Sequence, residues 1–207
     1  PTSLWDGFSN KVRNIIRRAE RGGLEVSRDL AHLSTFHTIY ARAMTERRAN
    51  VRALPFFRAI FAVFGADARL YSAVAAGRSC GAMVVVSADG FAAYPFGAFD
   101  ELGRRRGANT LLLWQVARDL AAEGVCSLDL GPSKPDSGAY RFKLRVGGVP
   151  QTLHYVDLLR PAQSDSVSEP SAGTPPAPGP LDRTIEHLPF ALRVQVRTWL
   201  GRTGRLL

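Results

Sequence analysis

The 207-residue chain is poor in several residue types, and each shortage closes off a class of chemistry. It has two cysteines, Cys80 and Cys126, and four histidines scattered along the sequence. A zinc site needs a cluster of thiolate and imidazole ligands, so these spacings exclude one, and no Ser/His/Asp motif for hydrolysis is present. Both cysteines sit in apolar, strand-like runs with no pairing pattern, which fits a reducing compartment. The cytoplasm is the expected location. No run of eighteen apolar residues occurs, so no helical membrane span is expected. Pro1 is followed by no signal-peptide pattern, and the chain reads as a piece trimmed from a longer one.

Lysine is the scarcest charged residue, with three against 24 arginines. Two of the three, Lys134 and Lys143, fall in the stretch GPSKPDSGAYRFKLRVGG, residues 131–148. An ammonium is a compact point charge whose pKa moves on burial, whereas a guanidinium is a wide planar fork that stays charged. The placement points to a need for an ammonium there. The arginines bring the net charge to +9 at pH 7, a balance that favours phosphates, nucleic acid or an anionic membrane. An arginine-rich composition produces the same charge without any such partner. Length and a 45% hydrophobic content provide for one domain with a substantial core.

The apolar periodicity predicts helices over 10–21, 33–47 and 55–64. Three strands follow at 68–76, 79–87 and 90–99, joined by tight turns, and Pro95 marks the third as an edge or bulged strand. The segment DELGRRRGAN reads as a charged loop leading into a helix from Asn109 to about 123. VCSLDLG, 125–131, reads as a short buried strand, a short helix begins at Phe142, and 151–159 reads as a last strand. Residues 161–180 hold six prolines and read as a disordered linker, and 181–207 as a basic amphipathic helix. The expected class is α+β, with one mixed sheet covered by helices on both faces over residues 1–160. Strands 90–99 and 125–131 are expected to be parallel neighbours that splay near Pro95, because a helix crosses between them.

The order of elements resembles the Gcn5-related acetyltransferase (GNAT) fold. More closely, residues 8–160 resemble the second lobe of Fem-type aminoacyltransferases, of the kind associated with exosortase and exopolysaccharide clusters. The resemblance rests on RRAERGG at 17–23, GAN at 107–109, Trp114 and above all DLGPSKPDSGAYRFKLRVGG at 129–148. It implies transfer of an acyl group from acyl-CoA or of an aminoacyl group from aminoacyl-tRNA to an amine of a cell-envelope or polysaccharide precursor, with no metal. Fem-type enzymes carry two such lobes, and one is present here. The acetyl-CoA signature has only a near match in RRRGAN, where Asn109 takes a small-residue position.

Arg104, Arg105, Arg106 and Gly107 precede a helix whose free N–H groups favour an anion, so they read as a phosphate site or as a solvated basic loop. Asn109 reads as the helix N-cap, a role compatible with donor contact. Asp129, ending a buried strand, reads as a clamp for the following loop or as a proton acceptor. Ser133 and Lys134 stand at the strand's carboxyl end, where open sheets present ligands, and Gly138 permits close backbone approach. Lys143 is the residue expected to place a cation near the donor carbonyl or phosphate, with Tyr140 on the same wall. The basic stripe Arg13, Arg17, Arg18 and Arg21 reads as a solvated face or as a contact for tRNA, and the last helix as packed on the domain or bound at the inner membrane face. Two other readings remain open at this level: a non-catalytic binding lobe of a longer enzyme, and a basic nucleic-acid-binding module.

Overall fold

The computed structural model describes residues 2–153, with side chains from Leu4 onward. The linker at 161–180 and the basic helix at 181–207 lie outside the described residues. So does the expected last strand, apart from 151–153, which have no regular structure.

Among the described residues five strands, β1 (Leu24–Ser27), β2 (Ala68–Ala75), β3 (Arg78–Ala88), β4 (Phe91–Phe99) and β5 (Ser127–Asp129), form one sheet in sequence order. The first three neighbouring pairs are antiparallel and β4–β5 is parallel, as the crossover between them requires. Two-residue turns with positive φ at both positions, Ala76 and Gly77, then Asp89 and Gly90, join β2, β3 and β4.

Helices cover both faces. After a short α1 (Thr2–Asp6), α2 (Asn10–Arg21) starts at Ser9, whose side chain accepts a hydrogen bond from the Val12 N–H. It buries Val12, Ile16 and Ala19 against α6 (Ala108–Ala122) and one face of the sheet. Trp114 of α6 is buried there against the rings of Trp5 and Phe8. The other face is packed by α3 (Leu33–Glu46) and α4 (Leu54–Phe64) through Phe36, Tyr40 and Phe57. Phe57 stands edge-on to Phe36, Tyr40 and Phe96, and each such pair adds about 0.5–1.5 kcal/mol beyond the area it buries.

Four sequence expectations are corrected. The charged stretch after β4 is a helix, α5 (Glu101–Arg106), because Asp100 caps it through the Gly103 N–H at 2.8 Å and three arginines in its last turn face the negative end of the dipole. Asn109 is not the N-cap of α6. Gly107 is, at φ 78, and Asn109 lies inside the first turn. The strand expected at 125–131 contracts to Ser127–Asp129, last in the sheet among the described residues, with Cys126, Ser127 and Asp129 exposed, so Asp129 is not a buried carboxylate. The helix expected from Phe142 begins earlier, as α7 (Gly138–Arg145), because the Ser137 hydroxyl accepts from the Tyr140 N–H at 3.1 Å. The strand β1 was not visible in the sequence at all. Its four residues carry too short a pattern to read.

Candidate active site

β5 pairs with β4 only from Phe91 to Ala93, and the strands part beyond that point. The register of β4 against β3 slips between Val84 and Val86, leaving Tyr94 and Pro95 opposite Val85 alone. Pro95 has no N–H to lose, so the bulge falls where it breaks no ladder bond. The expectation of a splay at Pro95 is met. The bulge also inverts the alternation of the strand. Ala92 and Tyr94 face the α2/α6 core, whereas Phe96 and Ala98 face α3 and α4.

Past Asp129 the chain turns away from β4. Asp129 Oδ1 accepts the Gly131 N–H at 2.7 Å, and the Lys143 ammonium donates to the carbonyls of Gly131 at 2.6 Å and Pro132 at 3.0 Å. Burial lowers the pKa of Lys143, while the nearby Asp129 carboxylate pulls it the other way. The tied loop leads into α7, which sets Phe142 and Arg145 against the open part of β4.

Between them lies a cavity of about 340 Å³. Gly97, Ala98 and Phe99 of β4 form one wall, Phe142 and Arg145 another, and Gly107, Asn109 and Thr110 of α6 close one end. Four helices bring arginines from their C-terminal ends: Arg18 of α2, Arg47 after α3, Arg104 and Arg105 of α5, and Arg145 of α7. Cations are favoured at helix C-termini, and here that preference gathers five guanidiniums around one space that no acidic side chain lines among the described residues. α6 contributes the opposite pole. Its cap, Gly107, has no side chain to occupy the free N–H groups of the first turn. Asn109 Oδ1 is buried beside them without a hydrogen-bond partner. An anionic carrier with a hydrogen-bond donor fits these residues on all three counts.

The structure brings together Arg104, Arg105, Gly107 and Asn109 of the residues expected from the sequence. Arg104 also donates to the Phe99 carbonyl at 2.6 Å, and Arg105 pairs with Glu101 at 3.1 Å. Arg106 turns away and donates to the Gly22 carbonyl at 3.0 Å. Lys143, Asp129, Ser133, Lys134 and Tyr140 stand in or beside the loop behind the cavity rather than on its wall. Ser133 Oγ is buried without a partner, and Lys134 is exposed. Gly138 starts α7 in open space, with nothing within 4 Å of where a Cβ would stand, so close backbone approach does not explain it. Arg47 and Arg145, which also line the cavity, were not legible as candidates. The signal available was an arginine at the end of each of several predicted helices.

Residues 7–144 match the sequence profile of the acetyltransferase (GNAT) domain. The chain belongs to that family. Solved structures agree on the GNAT fold. FemX superposes with a TM-score of 0.60 at 14% identity, over 70% of this chain and 54% of FemX. An aminoglycoside acetyltransferase from an uncultured soil metagenomic sample gives 0.54 at 13% identity, over 66% of this chain and 97% of its own. The ribosomal-protein-S18-alanine N-acetyltransferase from Escherichia coli gives 0.51 at 17%, over 60% and 76%. The chain thus spans about half the length of FemX. No curated protein sequence matches it. Among the described residues no helix is long and apolar enough to cross a membrane, and no cluster of ligands for a metal is present.

Proposed function

We propose that this GNAT domain is an N-acyltransferase that moves an acyl or aminoacyl group from a thioester or aminoacyl-tRNA to an amine of a cell-envelope or polysaccharide precursor. One observation carries the reading: five arginines and the start of α6, which no side chain caps, surround a cavity at the point where β4 and β5 part. Arg18, Arg104, Arg105 and Arg145 bind the phosphates of the donor, which is a substrate and not a resident group. Asn109 accepts a hydrogen bond from it. Lys143 and Asp129 fix the loop of Gly131 and Pro132 and so set the width of the cleft. Tyr140 and Ser133 stand behind that loop, and Lys134 on its exposed side. The acceptor amine reacts in its neutral form, and holding it beside the acyl carbon supplies most of the advantage that positioning gives.

The experiment is a thermal-shift and transfer screen pairing acetyl-CoA and aminoacylated tRNA with amine-bearing envelope and polysaccharide precursors. Stabilisation by one donor and formation of an amide support the proposal. Stabilisation without turnover supports instead a binding lobe of a longer enzyme, a reading favoured by the half-length match to FemX. Stabilisation by uncharged nucleic acid alone supports the basic module.

A further inference from the structure

Acyl transfer builds negative charge on the carbonyl oxygen of the group in transit, and a donor aimed at that oxygen is the largest single contribution a site of this kind makes. The edge of β4 that β5 leaves after Ala93 runs on into the cavity wall at Gly97, Ala98 and Phe99, and Pro95 at the bulge has no N–H to offer there. The ammonium of Lys143, the nearest cation of the loop, already donates to the carbonyls of Gly131 and Pro132.

The bulge supplies another group. Because it inverts the alternation, Tyr94 before it and Gly97 after it lie on one face of the strand, and Gly97 lines the cavity. A Cβ added at Gly97 would run into the Tyr94 hydroxyl, so the hydroxyl lies directly over the bare Cα of a wall residue. None of the hydrogen bonds among the described residues uses that hydroxyl, although the ring is packed against the core. The residue is half-buried, so its O–H is left for solvent or for a molecule in the cavity.

We propose that the Tyr94 hydroxyl is a hydrogen-bond donor to the carbonyl oxygen of the acyl group under transfer, with Gly97 kept bare to admit it. This rests on the acyl-transfer reading above. In the step, the amine nitrogen forms a bond to the acyl carbon and the carbonyl π pair moves onto oxygen, where Tyr94 meets it. The pair then returns as the bond to the donor's sulfur or oxygen breaks, and one proton passes from the amine through water to the departing atom. Tyr94 keeps its own proton throughout. Burial raises the pKa of this phenol far above its ordinary value, and the opposing pull of Arg47 is smaller, which suits a group that donates a bond and does not surrender the proton.

The test compares Tyr94→Phe, Gly97→Ala and the double variant in the transfer assay, with melting temperatures as the folding control. Tyr94→Phe should lower kcat about 100-fold with KM for the donor within about twofold, the loss seen when one such donor is removed. Gly97→Ala should lower kcat in the parent chain but add nothing in the Tyr94→Phe background, where no hydroxyl remains to be displaced. With tyrosine labelled at 13Cζ, the signal absent from Tyr94→Phe should move on addition of acetyl-CoA but not CoA, or of aminoacylated but not uncharged tRNA. An active parent with kcat unchanged in Tyr94→Phe, or a Tyr94 signal indifferent to the acyl group, overturns this inference and leaves the acyl-transfer reading standing. A parent that transfers from neither donor to any amine removes both.

Discussion

The ammonium of Lys143 stands 2.6 Å from the carbonyl oxygen of Gly131 and 3.0 Å from that of Pro132. It therefore closes the turn that takes the chain out of the sheet after β5. Two adjacent carbonyls converge on a point, and a compact cation with rotatable donors meets both where a planar fork cannot. Lys143→Met should cost about 1–2 kcal/mol, or roughly 3–6 °C in Tm, a share of what hydrogen bonds to a charged group contribute, discounted for partial exposure. Lys143→Arg should recover less than half of it. The two carbonyl contacts give Lys143 a part in the fold. Equal melting temperatures for the three proteins would remove that part.

Gly107 is held where no other residue fits. Its φ of 78 is left-handed, and a Cβ there would stand 2.6 Å from Ile15 Cγ2 on α2. Gly107→Ala should destabilise the protein by about 2–4 kcal/mol, from backbone strain together with overpacking between α2 and α6. Chemical denaturation measures it. A loss below about 0.5 kcal/mol would show that α2 is free to move away.

Donor binding should follow the arginines. Arg18→Gln and Arg145→Gln should each weaken the donor about tenfold at low salt, since a charge-assisted contact to phosphate is worth on the order of 1.5 kcal/mol. The difference should shrink as ionic strength rises. Titration calorimetry in two salt concentrations reads both effects, and salt-independent affinity would place the phosphates elsewhere.

The half-buried phenol of Tyr94 sets an alkaline limit. Its folded pKa lies above the ordinary 10.0, so the neutral form is favoured by folding. The stability this brings is fully present below pH 10 and is lost as the pH climbs from there toward the folded value. Urea melts from pH 8 to 11 should show the parent losing stability relative to Tyr94→Phe above pH 10. A constant difference across that range would mean the hydroxyl is solvated.

Much of the architecture was legible because it is written in local patterns. Alternation and two-residue turns marked β2, β3 and β4, the 3.6-residue period marked α2, α3, α4 and α6, and the crossover fixed β5 as the parallel neighbour of β4. Pro95 was enough to locate the bulge, since its missing N–H is a property of the residue itself. Arg104, Arg105, Gly107 and Asn109, which line the cavity, were legible as candidates because they adjoin a helix start in sequence.

Tertiary structure decided the rest. Arg18, Arg47 and Arg145 are far apart along the chain and meet only because α2, α3 and α7 end around one space. The helical state of Glu101–Arg106 depended on a cap from Asp100, whose residue type suits a loop equally well. The exposure of Asp129 depended on β5 being a strand of only three residues, which no apolar count reveals. That Tyr94 reaches Gly97 follows from the phase shift of the bulge, and that Lys143 meets Gly131 follows from a turn and a helix folding back together. A sequence states which groups are available and which local geometry each residue permits. Which of them face one another is set by how the packed elements converge, because side-chain hydrogen bonds and charge contacts act over a few ångströms of space and take no account of separation along the chain.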